Sequence, residues 1–236
     1  MNLKGFKRFI VILMTIILVI GSIPVSVAAE DHTSSGSSIL FTDSFESRSF
    51  TQNHWKDVPA QWDVKTEGNL SSLQAVNSNT RTFLQNVDAA SWTDYEMSFK
   101  AKFTSNVVGR AEFFVRADQN GNFYSVEAQI AQNQSQSVVF KMHRWSNMVY
   151  QGNITTNVTH TFDPTVWHVY KVEVKGSTIK LWIDDSLIIT GTDPNHHYPA
   201  GNIGFRSQNI GLQMDELTVK GQGGTEEPAK EFQLVH

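Results

Sequence analysis

From Trp167 onward the chain repeats one pattern that leaves few folds open. Trp167-His-Val-Tyr-Lys-Val-Glu-Val-Lys-Gly176, Thr178-Ile-Lys-Leu-Trp-Ile-Asp-Asp185, Gly201-Asn-Ile-Gly-Phe-Arg206 and Met214-Asp-Glu-Leu-Thr-Val219 each alternate apolar and polar residues. Gly, Asp, Asn or Pro separates each from the next. Side chains on a strand point to opposite faces with period two, so this alternation marks half-buried strands joined by tight turns. The same signal recurs upstream. Strands are expected at Leu40–Phe45, Trp62–Lys65, Thr82–Leu84, Tyr95–Phe103, Arg110–Ala117, Phe123–Ile130, Val138–His143 and Val149–Ile154. They are expected again at Trp167–Lys175, Thr178–Ile183, Leu187–Thr190, Asn202–Arg206 and Leu212–Val219. No window carries a sustained helical period with caps. Many short strands separated by turn signals fold as a sandwich or barrel.

The alternation also sorts residues by face. Tyr95, Met97, Phe99, Ala101 and Phe103 share one side of their strand, opposite Glu96, Ser98, Lys100 and Lys102. Tyr170, Val172 and Val174 are expected inside, as are Ile179, Leu181 and Ile183. Trp182 then faces outward beside Lys180 and Asp184, forgoing the burial a large ring usually gains.

The ends of the chain have a different composition. Lys4, Lys7 and Arg8 precede an apolar run from Phe9 to Ile20, and Ser26-Val-Ala28 is a small-x-small cleavage site. Residues 1–28 therefore read as an export signal, because the apolar run is shorter than the ~20 residues a membrane span requires. Its removal takes three of the 19 basic residues and none of the 23 acidic ones, leaving a net charge of −7. An acidic chain without a basic cluster argues against nucleic acid and against a membrane surface as partners. The chain has no cysteine, so an exported domain of this kind stabilises itself by burial instead of disulfides. Export without cysteine fits a bacterial protein, secreted or held at the cell surface. Residues 29–38 have the composition of a flexible leader, 39–221 form one domain, and 222–236 resemble a linker that would lead to further domains.

Several segments resemble known jelly rolls. Leu40-Phe-Thr-Asp-Ser-Phe-Glu46, Trp92-Thr-Asp-Tyr95, Gly109-Arg-Ala-Glu-Phe-Phe-Val-Arg116 with Asn122-Phe-Tyr124, and the closing cassette occur in the order found in the concanavalin A-like, laminin-G-like superfamily. The resemblance implies an all-β, two-sheet antiparallel jelly-roll sandwich. It also implies a partner, since members of that superfamily usually meet carbohydrate. One departure is the closing hairpin turn, Asp184-Asp185 in place of the usual Asp-Gly. A narrower similarity links Phe123-Tyr-Ser-Val-Glu-Ala-Gln-Ile130 to the Tyr-Glu-x-Gln-Ile segment of 3-keto-disaccharide hydrolase-like domains. That family's Asn-Ser-Gly loop and metal histidines are not matched.

Fold alone does not name a function. Retaining glycosidases need two carboxylates about 5–5.5 Å apart, and jelly-roll enzymes carry them as Glu-x-Asp-x-(x)-Glu on one strand. No such string occurs here, and Asp184-Asp185 and Asp215-Glu216 are adjacent, not alternate. The segment from Asp118 to Asn157 holds twelve Asn and Gln in forty residues, with Tyr124, Trp145 and Tyr150 among them. Aromatic faces and planar polar groups are what sugar rings and hydroxyls require. The sequence therefore predicts an exported, non-catalytic carbohydrate-binding module or lectin-like domain, with Arg116, Tyr124, Glu127, His143, Trp145 and Trp182 as ligand-binding residues. The alternatives are a hydrolase or lyase of the same fold and a laminin-G-like adhesion module that binds protein. No cofactor is expected beyond a structural calcium ion, for which Asp43, Glu46 and Asp215 are the candidate ligands because carboxylates suit that ion.

Overall fold

The computed structural model describes residues 37–105, 107–130 and 136–222. The expected export signal lies outside them, as do all but the last two residues of the leader and the tail beyond Gln222. Among the described residues the chain forms fifteen strands and one short helix. They begin with β1 (Ile39–Asp43), α1 (Arg48–His54), β2 (Trp62–Glu67), β3 (Leu70–Ala75), β4 (Asn79–Phe83), β5 (Tyr95–Phe103) and β6 (Gly109–Ala117). Next come β7 (Phe123–Ile130), β8 (Ser137–Ser146), β9 (Val149–Asn153), β10 (Val158–Thr161) and β11 (His168–Lys175). The chain closes with β12 (Thr178–Ile183), β13 (Ser186–Thr192), β14 (Asn202–Gln208) and β15 (Leu212–Gly221).

Two antiparallel sheets result, giving the expected jelly-roll sandwich. The first runs β13-β12-β11-β5-β15-β3-β2, with β1 also paired to β15. The second runs β10-β8-β7-β6-β14-β4, with β9 paired to β8. The inward faces are those the alternation marks: Tyr95, Met97, Phe99, Ala101 and Phe103 on β5 are all buried, as are Tyr170, Val172 and Val174 on β11. At the centre the Phe99 ring meets Phe113 at 5.0 Å, Phe205 at 5.3 Å and Tyr170 at 5.7 Å. Each such buried ring contributes roughly 1.5–3 kcal/mol relative to its exposure, so this cross-sheet cluster fixes the two layers face to face.

Three elements were not expected from the sequence. The seven-residue helix α1 is too short to display a helical period. Ser47 caps it by accepting from Phe50 N, and Asp43 holds it in place. The Asp43 carboxylate accepts from Phe45 N (2.8 Å), from the Thr51 hydroxyl and from Trp55 Nε1 (3.0 Å). β3 is rich in serine, and β10 is a four-residue edge strand whose pattern is almost wholly exposed.

The Asp184-Asp185 turn is built as a two-residue hairpin loop, since Ile183 pairs with Ser186. Both aspartates take left-handed φ values, 47° and 63°, as a type I′ turn demands. Asp184 offsets part of that strain by accepting from Val169 N at 2.9 Å and contacting His168 Nδ1 at 2.6 Å.

Candidate functional site

The outer face of the second sheet carries the chemistry. On β6, Ala111, Phe113 and Val115 enter the core, so period two turns Arg110, Glu112 and Phe114 outward. Register then aligns these with their neighbours into cross-strand rows. One row reads Arg81–Arg206–Glu112–Glu127–Lys141, a single charged residue from each of β4, β14, β6, β7 and β8. On one side lies Asn79–Gln208–Arg110–Gln129–Val139. On the other lies Phe83–Gly204–Phe114–Ser125–His143–Asn153. Beyond that, Phe123 pairs with Trp145 and Trp145 with Tyr150.

The charged row is held by cations around two buried carboxylates. Glu112 and Glu127 stand directly opposite each other and are 0% and 1% exposed. Glu112 Oε1 accepts from Arg206 Nη1 at 2.7 Å and lies 3.5 Å from Arg110 Nε. Glu127 takes Arg110 Nη1 on one oxygen and Lys141 Nζ on the other, both at 3.1 Å, and His143 Nε2 lies 3.4 Å away. Arg110 thus bridges two carboxylates that would otherwise repel. Burial alone would push the Glu127 carboxyl up; its contacts with His143, Lys141 and Arg110 outweigh that and hold it at about 2. His143 Nδ1 faces Asn153 Oδ1 at 2.8 Å. Since that oxygen only accepts, Nδ1 carries the proton.

An aromatic wall borders the charges. Phe83 stacks on Phe114 at 5.3 Å, Phe114 meets Phe123 at 4.5 Å, and Trp145 stacks on Phe123 at 5.7 Å. Gly204 makes this possible, because a Cβ there would lie 2.6 Å from Thr82 O and 2.7 Å from the Phe83 ring. Trp145 Nε1 donates to Ser125 Oγ at 2.9 Å, which fixes the indole, while half-exposed Tyr150 meets its edge. Beside Phe83 a cleft of about 730 Å³ opens along the loops, lined in part by Asn86, Asn120, Met148 and Asn202.

Of the six expected ligand-binding residues, this face gathers Glu127, His143 and Trp145. The other three lie elsewhere. Arg116 would share the face with Arg110 and Glu112 if alternation held to the end of β6, but its φ of 49° breaks the period. Its guanidinium is buried and donates to the carbonyls of Thr93, Gly176 and Tyr198 and to Asp94. Arg116 therefore ties loops together and belongs to the scaffold. Tyr124 points into the sandwich, where its hydroxyl donates to Asp193 at 2.7 Å. Trp182 faces outward as expected, but on the first sheet, with Lys171 Nζ 4.7 Å and Lys180 Nζ 5.7 Å from its ring. That cation–π contact accounts for its position. The site residues that sequence reasoning did not name are Arg81, Arg110, Glu112, Lys141 and Arg206. Their alternation with apolar neighbours was visible, but their alignment across neighbouring strands was not.

The candidate calcium ligands do not converge. β1 and β15 pair as that reading required, yet Asp43 is committed to Thr51, Trp55 and Phe45 N. Glu46 accepts from Ser71 N, and Asp215 accepts from Glu216 N. Among the described residues no three His, Cys, Asp or Glu side chains are grouped to hold a metal ion.

Comparison with known proteins gives the family and the fold. The family model of the 3-keto-alpha-glucoside-1,2-lyase-like domain matches residues 40–220. No curated protein matches the chain. Among solved structures, the carbohydrate-binding module CBM66 from Bacillus subtilis superposes with a TM-score of 0.56 at 17% identity, over 71% of this chain and 96% of that one. A family 16 endo-glucanase from Bacteroides ovatus gives 0.56 at 14% identity, over 77% and 100%. A β-glucanase from Bacillus licheniformis gives 0.53 at 16% identity, over 78% and 97%. At these identities the likeness is one of fold.

Proposed function

The chain belongs to the 3-keto-alpha-glucoside-1,2-lyase-like domain family, and from that premise we propose that it is an exported protein that binds carbohydrate on the outer face of its second sheet without transforming it. The observation that carries this reading is the meeting of an aromatic wall with a dense hydrogen-bonding row on one solvent-facing surface. Trp145 and Tyr150 offer ring faces to the C–H patches of a sugar, while Lys141 and Arg110 offer donors to its hydroxyls. The cleft beside Phe83 gives room for further sugar units. The names of the similar structures, a carbohydrate-binding module and two glucanases, support the partner class.

A lyase reading has two supports, the family's description and the facing pair Glu112 and Glu127. An elimination needs a base with appreciable proton affinity near neutral pH. Glu127, held at about 2, has little, and both carboxylates are already engaged by cations. That balance favours binding.

Affinity electrophoresis of the purified chain through a panel of neutral and acidic polysaccharides tests the proposal. At least one polymer should retard it. Trp145→Ala should weaken that retardation about tenfold, the scale of a lost aromatic contact of about 1.5 kcal/mol. Trp182→Ala, on the other sheet, should leave it unchanged. Failure of every polymer to bind, or equal effects of the two substitutions, would refute the assignment. Incubation with 3-keto-α-glucosides should release no unsaturated or reducing sugar, and release would favour the lyase reading.

A further inference from the structure

The charges on this face do not balance, and the imbalance points to the ligand. Four cations, Arg81, Arg206, Arg110 and Lys141, share it with two carboxylates, Glu112 and Glu127. Arg206 pairs with Glu112, and Arg110 and Lys141 pair with Glu127. Arg81 is left over. It sits directly opposite Arg206, so two guanidinium groups face each other across β4 and β14. Like charges opposed on neighbouring strands destabilise a sheet. Arg81 Nε is buried and has no hydrogen-bond partner. The chain as a whole has a net charge of −4, so this local excess of positive charge runs against the background.

The neutral residues reinforce the bias. Asn79 Oδ1 accepts from Arg206, Gln208 Oε1 from Arg110 Nε at 2.7 Å, and Gln129 Oε1 from Lys141. Each amide turns its oxygen toward a cation, which leaves its NH₂ group facing away as a donor. A surface of guanidinium, ammonium and amide N–H groups suits a ligand rich in acceptors. One acceptor stands among them: Glu112 Oε2, also buried and without a partner. Among the described residues these are the two unpartnered buried side-chain atoms on this face, a donor on β4 and an acceptor on β6, on either side of Arg206 in one row. Unsatisfied buried polar atoms are rare in folded proteins and call for an explanation.

We propose that this face selects a negatively charged sugar unit, with Arg81 and Arg206 clamping a ring carboxylate or sulfate ester and Glu112 accepting from an adjacent hydroxyl. The proposal rests on the carbohydrate reading above and names the class of sugar. A planar guanidinium matches a carboxylate or sulfate in a bidentate fashion. The bound anion would also relieve the repulsion between the two arginines.

The test is retardation of the full chain in gels containing polygalacturonate, a sulfated galactan, a neutral β-glucan or a neutral fructan, at low salt and at about 0.3 M NaCl, where screening is strong. One of the acidic polymers should bind at least tenfold more tightly than either neutral polymer, and polygalacturonate against sulfated galactan distinguishes carboxylate from sulfate. Salt should weaken the acidic complex and narrow that margin. Arg81→Gln should reduce the preference for the acidic polymer by about tenfold or more, as expected for loss of one charge-assisted contact. A thermal melt establishes that the variant is folded, and the comparison of polymers on the unsubstituted chain needs no variant. Equal or tighter binding of a neutral polymer overturns the anionic preference while leaving the carbohydrate reading intact. Absence of binding to all four overturns both.

Discussion

Glu127 offers the most direct test of the electrostatics of this face. In the folded chain its carboxyl titrates at about 2, below the ordinary 4.5. At ~1.4 kcal/mol per pH unit, that depression favours the folded state by about 3 kcal/mol when the group is ionised. The unfolded chain takes up this proton near pH 4.5 and the folded chain near 2. Between those values the unfolded state binds more protons, so stability falls as pH falls. The contribution is complete above about pH 5 and gone below about 2. Glu127→Gln keeps the size of the side chain and removes the titration. At pH 7 the variant should be less stable by about 3 kcal/mol, because Lys141 and Arg110 lose a partner on a buried residue.

Urea unfolding curves at steps from pH 7 to pH 2 measure this. The gap between the two proteins should be widest above about pH 5, narrow through about pH 4 and 3, and close to within roughly 0.5 kcal/mol at pH 2. Burial raises the carboxyls of Asp43 and Asp215, which therefore favour folding as they protonate and oppose the trend. Both are present in both proteins and cancel in the difference. A gap that stays constant across the range would refute the argument, since it would mean that the Glu127→Gln substitution disrupts packing and that the Glu127 charge contributes nothing specific.

Two further substitutions probe the scaffold. Arg116→Met removes a buried guanidinium that holds Thr93, Gly176, Tyr198 and Asp94, and it should cost about 3–5 kcal/mol in chemical denaturation while glycan retention by the folded protein persists. Loss of retention without loss of stability would return Arg116 to the binding site. Asp185→Gly relieves a side chain held at a φ of 63° and should stabilise the hairpin by about 0.5–1 kcal/mol, seen as a rise in Tm; a fall would mean that the Asp185 side chain makes a contact worth more than the strain.

Alternation made the sandwich legible, because a period of two survives in strands as different as β5 and β12. It was less informative where a strand is short or polar on both faces, as in β10. It did not reveal α1, whose position depends on Asp43 reaching forward to Thr51 and Trp55. The site was legible only in part, and the boundary has a physical basis. Glu127, His143 and Trp145 lie on β7 and β8, two successive strands whose local pairing keeps them close. Arg81 and Arg206 join them through the β4–β14 pairing. Arg206 and its hydrogen-bond partner Asn79 are 127 positions apart. Periodicity says which residues share a face but not which residues meet, because register between distant strands is set by the packed core. Arg116 shows another limit: alternation from Arg110 and Glu112 would place it on their face, but its own left-handed φ of 49° turns it away within β6, a backbone departure that periodicity does not encode.

The two sheets therefore divide the work, and the energetics of the charged row say why. Replacing buried ion pairs with well-packed apolar residues is often neutral or stabilising, so a row of five charged residues across a sheet is a poor device for holding a sandwich together. The outward groups of the first sheet are arranged differently. Its Trp182 is covered by two lysines, its Asp184 fastens a turn, and Asp215 accepts from the neighbouring Glu216 N in a strand irregularity. Gln213 Oε1 on that face is also buried without a partner, so an unpaired atom alone does not set the second sheet apart. What does is that its unpaired atoms, Arg81 Nε and Glu112 Oε2, lie in a row of directly opposed like charges. A surface that bears the cost of opposed arginines and opposed glutamates, and still leaves one donor and one acceptor unpaired, is organised around a molecule that supplies the missing partners.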